Sequence, residues 1–245
     1  MFRKKESFTD DEIRDIVKAS GLRHIAFIMD GNGRWATSRS LPREAGHVRG
    51  AAAFRSTVEK CRDFGIKTVT TYAFSTENWN RPKKEIDAIM KLLEDYISEA
   101  VRDNTKNKIT YRFLGDKSAL DPEIEVRCKR LEELTAGNDL VLNIALNYGS
   151  RAEIVNAVNH LISEGRTSVT DEDISAALYT AHCPDPDLIV RTAGEYRLSN
   201  FLLWQAAYSE LYVTEAFWPD FDRDELAKAI VNFSKRKRKF GAIPG

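Results

Sequence analysis

The chain has 245 residues, 42% of them hydrophobic and 30% charged, with 37 basic and 37 acidic side chains and a net charge of +0. A chain of this length and make-up can bury a core without staples. The balanced charge excludes a global field that would recruit nucleic acid or an anionic membrane, so any anion site must be a local cluster. Cys61, Cys128 and Cys183 are scattered without a Cys-x-x-Cys pair, which argues against zinc and suits a reducing cytoplasm.

The start of the chain, Met1 to Glu6, is charged and lacks the apolar segment of a signal peptide. No run approaches the roughly 18 apolar residues of a spanning helix. A soluble, cytoplasmic protein is expected, able to touch a membrane only peripherally. Residues 1–21 read as a polar, helical N-terminal extension, with Thr9-Asp10-Asp11-Glu12 as a helix cap. Residues 22–29 are an apolar run that stops at Asp30-Gly31-Asn32-Gly33, as a buried strand stops at a loop. Residues 50–64 carry Ala53, Phe54, Val58 and Cys61 at helical spacing, closed by Gly65. A second strand is predicted over 68–74. Pro82 then opens a long helix with Ile86, Ile89, Met90, Leu93, Ile97 and Val101 on one face.

The alternation continues with strands at 109–114, 140–146, 188–191 and 211–213, and helices after Asp121-Pro122 and over 150–163. Strands separated by helices imply crossover units, hence an α/β single domain with a mainly parallel central sheet flanked by helices. Ligands of such sheets bind beyond the carboxyl ends of the strands. The unusual polar clusters fall there, at 30–34, 75–81, 147–151 and 191–200.

In the first cluster, Gly31 and Gly33 let backbone N–H groups approach a ligand, and Arg34 offers a forked cation for phosphate oxygens. Asp30 is a hard oxygen ligand of the kind magnesium takes together with phosphates. A plain tight turn is the simpler alternative. Gly31-Asn32-Gly33-Arg34-Trp35-Ala36 also fits the G-x-G-x-x-A dinucleotide fingerprint, but the acidic residue expected after the second strand is missing and Pro42 soon interrupts the helix. The second cluster, Ser75-Thr76-Glu77-Asn78-Trp79-Asn80-Arg81, holds more polar groups than a helix cap alone requires. In the third, Arg191 and Arg197 flank Gly194 and could clamp a second diphosphate, with a surface salt-bridge patch as the alternative. Glu210, after an aromatic run, could be a second carboxylate for the metal or a neighbour's partner. His24, His160 and His182 lack metal-ligand spacing, and the basic run Lys235 to Lys239 reads as a solvated helix end. Walker A and Gly-x-Ser-x-Gly motifs are absent.

These residues, taken together, carry a family resemblance. His24 to Ala36, Gly46-His47, Tyr72 to Pro82, Asn147 to Arg151, Asp187 to Gln205 and Glu210 to Phe221 resemble, in order, the motifs of the cis-prenyltransferases. The resemblance spans residue 22 to the chain end, making 22–245 the catalytic domain. It implies an enzyme of the undecaprenyl diphosphate synthase type that condenses isopentenyl diphosphate with an allylic diphosphate such as farnesyl diphosphate. Asp30 and Glu210 would bind Mg2+. Gly31, Asn32, Gly33 and Arg34 would cradle the allylic diphosphate, with Trp35, Arg43 and His47 completing that pocket. Ser75, Thr76, Glu77, Trp79 and Arg81 would line the reacting region.

Arg191, Arg197, Leu198 and Ser199 would hold isopentenyl diphosphate. Asn78 is the residue the family credits with proton removal; a neutral amide is a poor base, so it reads better as an orienting group, leaving Asp30, a water or the departing diphosphate as acceptor. The long-helix stripe would wall an apolar channel. Ala193 stands where many members carry glycine or serine. The ending Arg238-Lys239-Phe240-Gly241 and the complete motifs imply a homodimer, with no nucleic-acid partner and at most peripheral membrane contact.

Overall fold

Every residue of β1 (His24–Ile28) is buried, the pattern of a strand covered on both faces. Its side chains alternate between two packing regions: Ile25 and Phe27 enter the main core, whereas Ala26 and Ile28 enter a smaller one on the opposite face. The structure, a computed structural model, describes residues 8–103 and 108–236. It has one six-stranded sheet in the order β3-β4-β2-β1-β5-β6, every pairing parallel. The other strands are β2 (Thr68–Ser75), β3 (Ile109–Leu114), β4 (Leu140–Tyr148), β5 (Leu188–Arg191) and β6 (Glu210–Val213). The expected single-domain α/β architecture is what the chain adopts.

Helices connect the strands. α1 (Asp10–Ser20) begins with the expected capping box of Thr9 and Glu12, and buries Ile13 and Val17 in the main core. α2 (Asn32–Thr37) is short and separated by Pro42 from α3 (Arg43–Asp63), which starts earlier than the apolar spacing suggested. α3 ends in a Schellman turn: Ile66 N–H donates to Cys61 O at 3.0 Å and Gly65 N–H to Arg62 O at 2.9 Å, with Gly65 at φ 86°. α4 (Lys83–Arg102), α5 (Pro122–Leu134) and α6 (Ser150–Ser163) follow as expected. α7 (Asp171–Ala177) and α8 (Arg223–Ser234) were not foreseen; both have their own side-chain caps, from Thr170 and Asp222. Of the basic run, Lys235 and Arg236 follow α8, and residues 237–241 lie outside the described residues.

The strand order sets the position of the site. From β1 the chain moves to β2, β4 and β3 on one side, while β5 and β6 lie on the other. The carboxyl ends of β1 and β5 therefore diverge into loops of opposite direction, the crevice at which open parallel sheets take ligands. Ile28 pairs with Arg191 in this register, so the Asp30 and Arg191 loops emerge side by side. A register irregularity at the end of the β2–β4 pair, around Ala73, falls at the same edge.

Candidate active site

The backbone turns sharply at the end of β1. Gly31 has φ 101°, and a Cβ there would lie 2.7 Å from Phe217 Cδ1 and 3.0 Å from Ala193 Cβ, so only glycine fits between these loops. Asp30 leaves this turn into a nest of cations. One carboxylate oxygen is 3.1 Å from Arg34 Nη2; the other is 3.0 Å from Arg191 Nη2 and 3.9 Å from Arg197 Nη2. Burial by itself would raise the Asp30 pKa, but the hydrogen bonds and charges of Arg191 and then Arg34 hold it below the ordinary carboxylate value. Its backbone carbonyl is also fixed, accepting from Thr192 Oγ1 at 2.6 Å and Trp218 N at 3.0 Å.

The β5 loop closes over this nest. Arg191, 5% exposed, donates to Ser199 Oγ at 2.9 Å and to the Arg197 carbonyl. Glu195 bridges Arg34 at 2.9 Å and Arg197 at 2.5 Å. Ala193, Ser199, Asn200 and Leu202 all have positive φ, as does Asn147 on the adjacent β4 loop. Backbone strain of this kind concentrates where the surroundings hold a loop in a shape of use to a ligand.

A second carboxylate, Glu85 at the start of α4, was not singled out by sequence reasoning, although its spacing from Arg81 was a local signal. It gathers Arg43 Nε at 3.0 Å, His47 Nε2 at 3.1 Å and Arg81 Nη1 at 3.0 Å, with only 6% of its side chain exposed. Burial opposes its ionisation; the hydrogen bonds of Arg43 and His47 and the charge of Arg81 prevail and lower its pKa to about 2. Burial lowers the pKa of His47 despite Glu85 beside it, so the ring is neutral at pH 7. The Arg43 guanidinium covers Gly33, where a Cβ would come within 2.5 Å of it. That covering, with the six-residue α2, leaves no extended helix of the dinucleotide kind after the glycines.

Two voids meet between these carboxylate clusters. A polar mouth is bordered by Asp30, Ser75, Glu77, Arg191, Arg197 and Ser199. An apolar cavity lies under it, bordered by His47, Phe54, Ile89, Leu93, Tyr96 and Ile144 among others. Met29, Tyr72, Asn78 and Arg81 line both, so the voids share a boundary. Asn78 there accepts the Ser75 N–H through its amide oxygen at 3.1 Å, which commits its acceptor and leaves its NH2 donors. Glu77 accepts from Asn200 Nδ2 at 3.0 Å, and a Cβ on Gly149 would lie 2.8 Å from Thr76 Oγ1, so this glycine lets the β2 and β4 loops touch. Asn32 borders the apolar cavity, and its buried side-chain oxygen has no hydrogen-bond partner among the described residues.

Some expected site residues point elsewhere. Trp35 is committed to Asp220, at 2.7 Å from its indole nitrogen, and carries Arg39 over its ring at 4.4 Å. Trp79 donates to Asn147 Oδ1 at 2.8 Å and packs edge-on against Phe74. Leu198 borders a separate hollow beside Arg191 and Arg236. Within one chain Glu210 does not join Asp30: it pairs across the sheet with Leu188, whereas Arg191 stands opposite Val213. It thus sits roughly 10 Å lower along the strand, and its carboxylate is taken by Arg236. On α4 the cavity-lining face is Ile89, Leu92, Leu93 and Tyr96; Ile97, expected there, is fully buried in the core instead. His24 is structural, with its ring nitrogens 2.7 Å from Pro184 O and 2.8 Å from Thr70 Oγ1.

The donor set fits magnesium in one respect. Asp30 is ionised, partly exposed and surrounded by arginines suited to phosphate oxygens, and magnesium is commonly bound through one or two carboxylates plus such oxygens. Among the described residues no three His, Cys, Asp or Glu side chains form a metal cage, which magnesium held in that way does not require.

Residues 28–241 match the family model described as "Putative undecaprenyl diphosphate synthase". The chain belongs to the undecaprenyl diphosphate synthase family. It is 51% identical to an isoprenyl transferase of Fusobacterium nucleatum over 222 residues, covering 90% of this chain and 96% of that relative. Identity to an isoprenyl transferase of Chromobacterium violaceum is also 51%, over 89% of this chain and 88% of the relative. Among solved structures, lavandulyl diphosphate synthase from Lavandula x intermedia, in complex with dimethylallyl diphosphate, superimposes with TM-score 0.85 at 31% identity, over 91% of this chain and 100% of that one. A probable undecaprenyl diphosphate synthase from Campylobacter jejuni gives TM-score 0.77 at 35% identity, over 90% and 99%. The chain is accordingly a prenyltransferase of isoprenoid biosynthesis, built on its family's parallel sheet.

Proposed function

We propose that the chain condenses isopentenyl diphosphate with an allylic diphosphate, farnesyl diphosphate as starter, into a long Z-polyprenyl diphosphate of the undecaprenyl type for a cell-wall lipid carrier. The observation that carries this reading is the shared boundary of a cationic mouth and an apolar cavity at Met29, Tyr72, Asn78 and Arg81. A ligand with a diphosphate head and a hydrocarbon tail fits such a pair, the head in the mouth and the tail below.

In the proposed reaction a carbon–carbon bond forms between the isopentenyl double bond and the allylic carbon. The bond from that carbon to diphosphate breaks, and a proton is lost to restore a double bond. Arg34, Arg43 and the first-turn N–H groups of α2 hold the allylic diphosphate, and Arg191, Arg197 and Ser199 hold that of isopentenyl diphosphate. Asp30 holds Mg2+ against these oxygens. When bound, the metal offsets charge that gathers on the leaving group. Arg81 and His47 stand where the mouth narrows into the cavity. Asn78 orients substrate through its NH2 group, since its oxygen already serves Ser75. Asp30, held at low basicity by its arginines, and neutral Asn78 are both poor bases, so the proton is assigned to the departing diphosphate.

The wider setting follows from the surface. Among the described residues no helix is long and apolar enough to cross a membrane. β6 is an edge strand with Leu211 exposed beside it and Tyr196 nearby, a surface suited to a homodimer. We place the enzyme in the cytoplasm, touching the membrane peripherally to release product. Incubation with farnesyl diphosphate, labelled isopentenyl diphosphate and magnesium should give a labelled apolar product, lost on chelation. No product, with or without detergent, would refute the reading.

A further inference from the structure

We infer that the ring of Tyr96 is the floor at which the growing chain is stopped, a partition between the apolar cavity and a second void beneath it. The inference rests on the prenyl-elongation reading and adds the residue that sets the length of the product.

Tyr96 borders two separate voids. Above it lies the apolar cavity, about 870 Å³ counting its open mouth; below it lies a smaller one of about 420 Å³, lined by Val58, Ala100, Ile109 and Tyr111. No other residue lines both. Protein interiors are close-packed, with few voids larger than a water molecule, so a large ring with space on both sides is not ordinary core packing. It has the placement of a wall.

The ring is also held in position. Phe54 from α3 meets it edge-on, with centroids 5.0 Å apart and planes at 80°. Its hydroxyl lies 3.3 Å from that of Tyr111 on β3, and the two rings are 6.1 Å apart. Arg55 places its guanidinium 5.5 Å from the ring centre and forms an ion pair with Glu99, which ties α3 to α4 beside the ring. Burial raises the pKa of both tyrosines, so the pair is held by neutral hydroxyls. An all-apolar plug would slide between rotamers; a hydroxyl pair and a stacked cation fix one.

The direction of approach agrees. Ile89, Leu92, Leu93 and Tyr96 line the cavity in succession along α4, away from Arg81 at the mouth. Ile89 to Tyr96 is roughly 10 Å of helix. A chain lengthened at its diphosphate end is pushed down this face, and its tip meets the Tyr96 ring last. Beyond the ring, the second void would accept further carbons if the partition were removed.

The test compares the chain length of labelled products by reversed-phase chromatography. Tyr96→Ala is expected to move the main product at least one C5 unit longer than wild type, and Tyr96→Phe, which keeps the ring, to leave it unchanged. Ala100→Leu fills the lower void; alone it should not alter product length, and combined with Y96A it should return the product toward the wild-type length. Should Y96A not fold, Tyr96→Leu carries the same expectation of a longer product. Active Y96A or Y96L with wild-type product length would overturn the inference. So would a Y96A/A100L product as long as that of Y96A. A wild-type enzyme that yields no prenyl product is a different failure, that of the elongation reading itself.

Discussion

Asp30 and Glu85 are built alike and serve differently. Each carboxylate gathers three basic side chains from separate segments of the chain: Arg34, Arg191 and Arg197 around Asp30, and Arg43, His47 and Arg81 around Glu85. The Asp30 side chain is 28% exposed and Glu85 only 6%. An ion pair open to solvent can exchange partners with an incoming diphosphate and its metal at little cost. A buried one cannot lose a partner without leaving charge stranded. Similar charge clusters therefore read as a ligand site in one case and as a brace in the other.

Substitutions can break that comparison. Asp30→Ala should lower turnover by roughly 10³-fold, the scale of losing a preorganised charge in a reacting site, while the unfolding free energy changes by about 1 kcal/mol or less. A stability loss as large as that of a Glu85 variant would make Asp30 a brace as well. Glu85→Ala should cost about 3 kcal/mol, seen as a melting point roughly 6–12 °C lower for a chain of this size. It should also raise KM for the allylic diphosphate more than it lowers kcat, because Arg43, His47 and Arg81 lose their common anchor. An E85A melting point equal to wild type would sink the brace.

The pH dependence sharpens the same contrast. The folded-state pKa of Glu85 is about 2, below its ordinary value of 4.5. A depressed carboxyl contributes stability that is complete above the unfolded value and lost as pH falls through the folded one. Urea midpoints of wild type and Glu85→Gln should therefore converge as pH drops from about 4.5 toward 2. A gap that stays constant over that range would place the effect outside Glu85 ionisation. The smallest effect is expected at Ala193, whose φ of 69° strains an alanine. Ala193→Gly should stabilise the chain by about 0.5 kcal/mol, measured by denaturant unfolding. It also accounts for the glycine that the resemblance leads one to expect there.

Local chemistry made much of the site legible. Apolar runs of period two and 3.6 located the strands and the long helices, and β3, α6 and β5 fell within their expected limits. Asp30, Arg191 and Ser199 come together as the polar clusters at strand ends suggested. Less legible were α7 and α8, whose caps at Thr170 and Asp222 are plain in retrospect but precede short or weakly patterned segments.

What the sequence by itself determined was the succession of elements and the identity of the loops that carry charge, because hydrophobic period and turn chemistry act over a few residues. Tertiary structure alone decided which loops meet. The order β3-β4-β2-β1-β5-β6 sets Asp30 against Arg191, across more than half of the chain, and leaves Glu210 down the strand beside Arg236. The rotation of α4 on the sheet chose Leu92 and Tyr96 for the cavity and sent Ile97 into the core. Glu85 became a brace only when α3 delivered Arg43 and His47 to it. Such contacts depend on strand order and helix rotation, which are selected by the packing of the whole core and have no signature in any short window of residues.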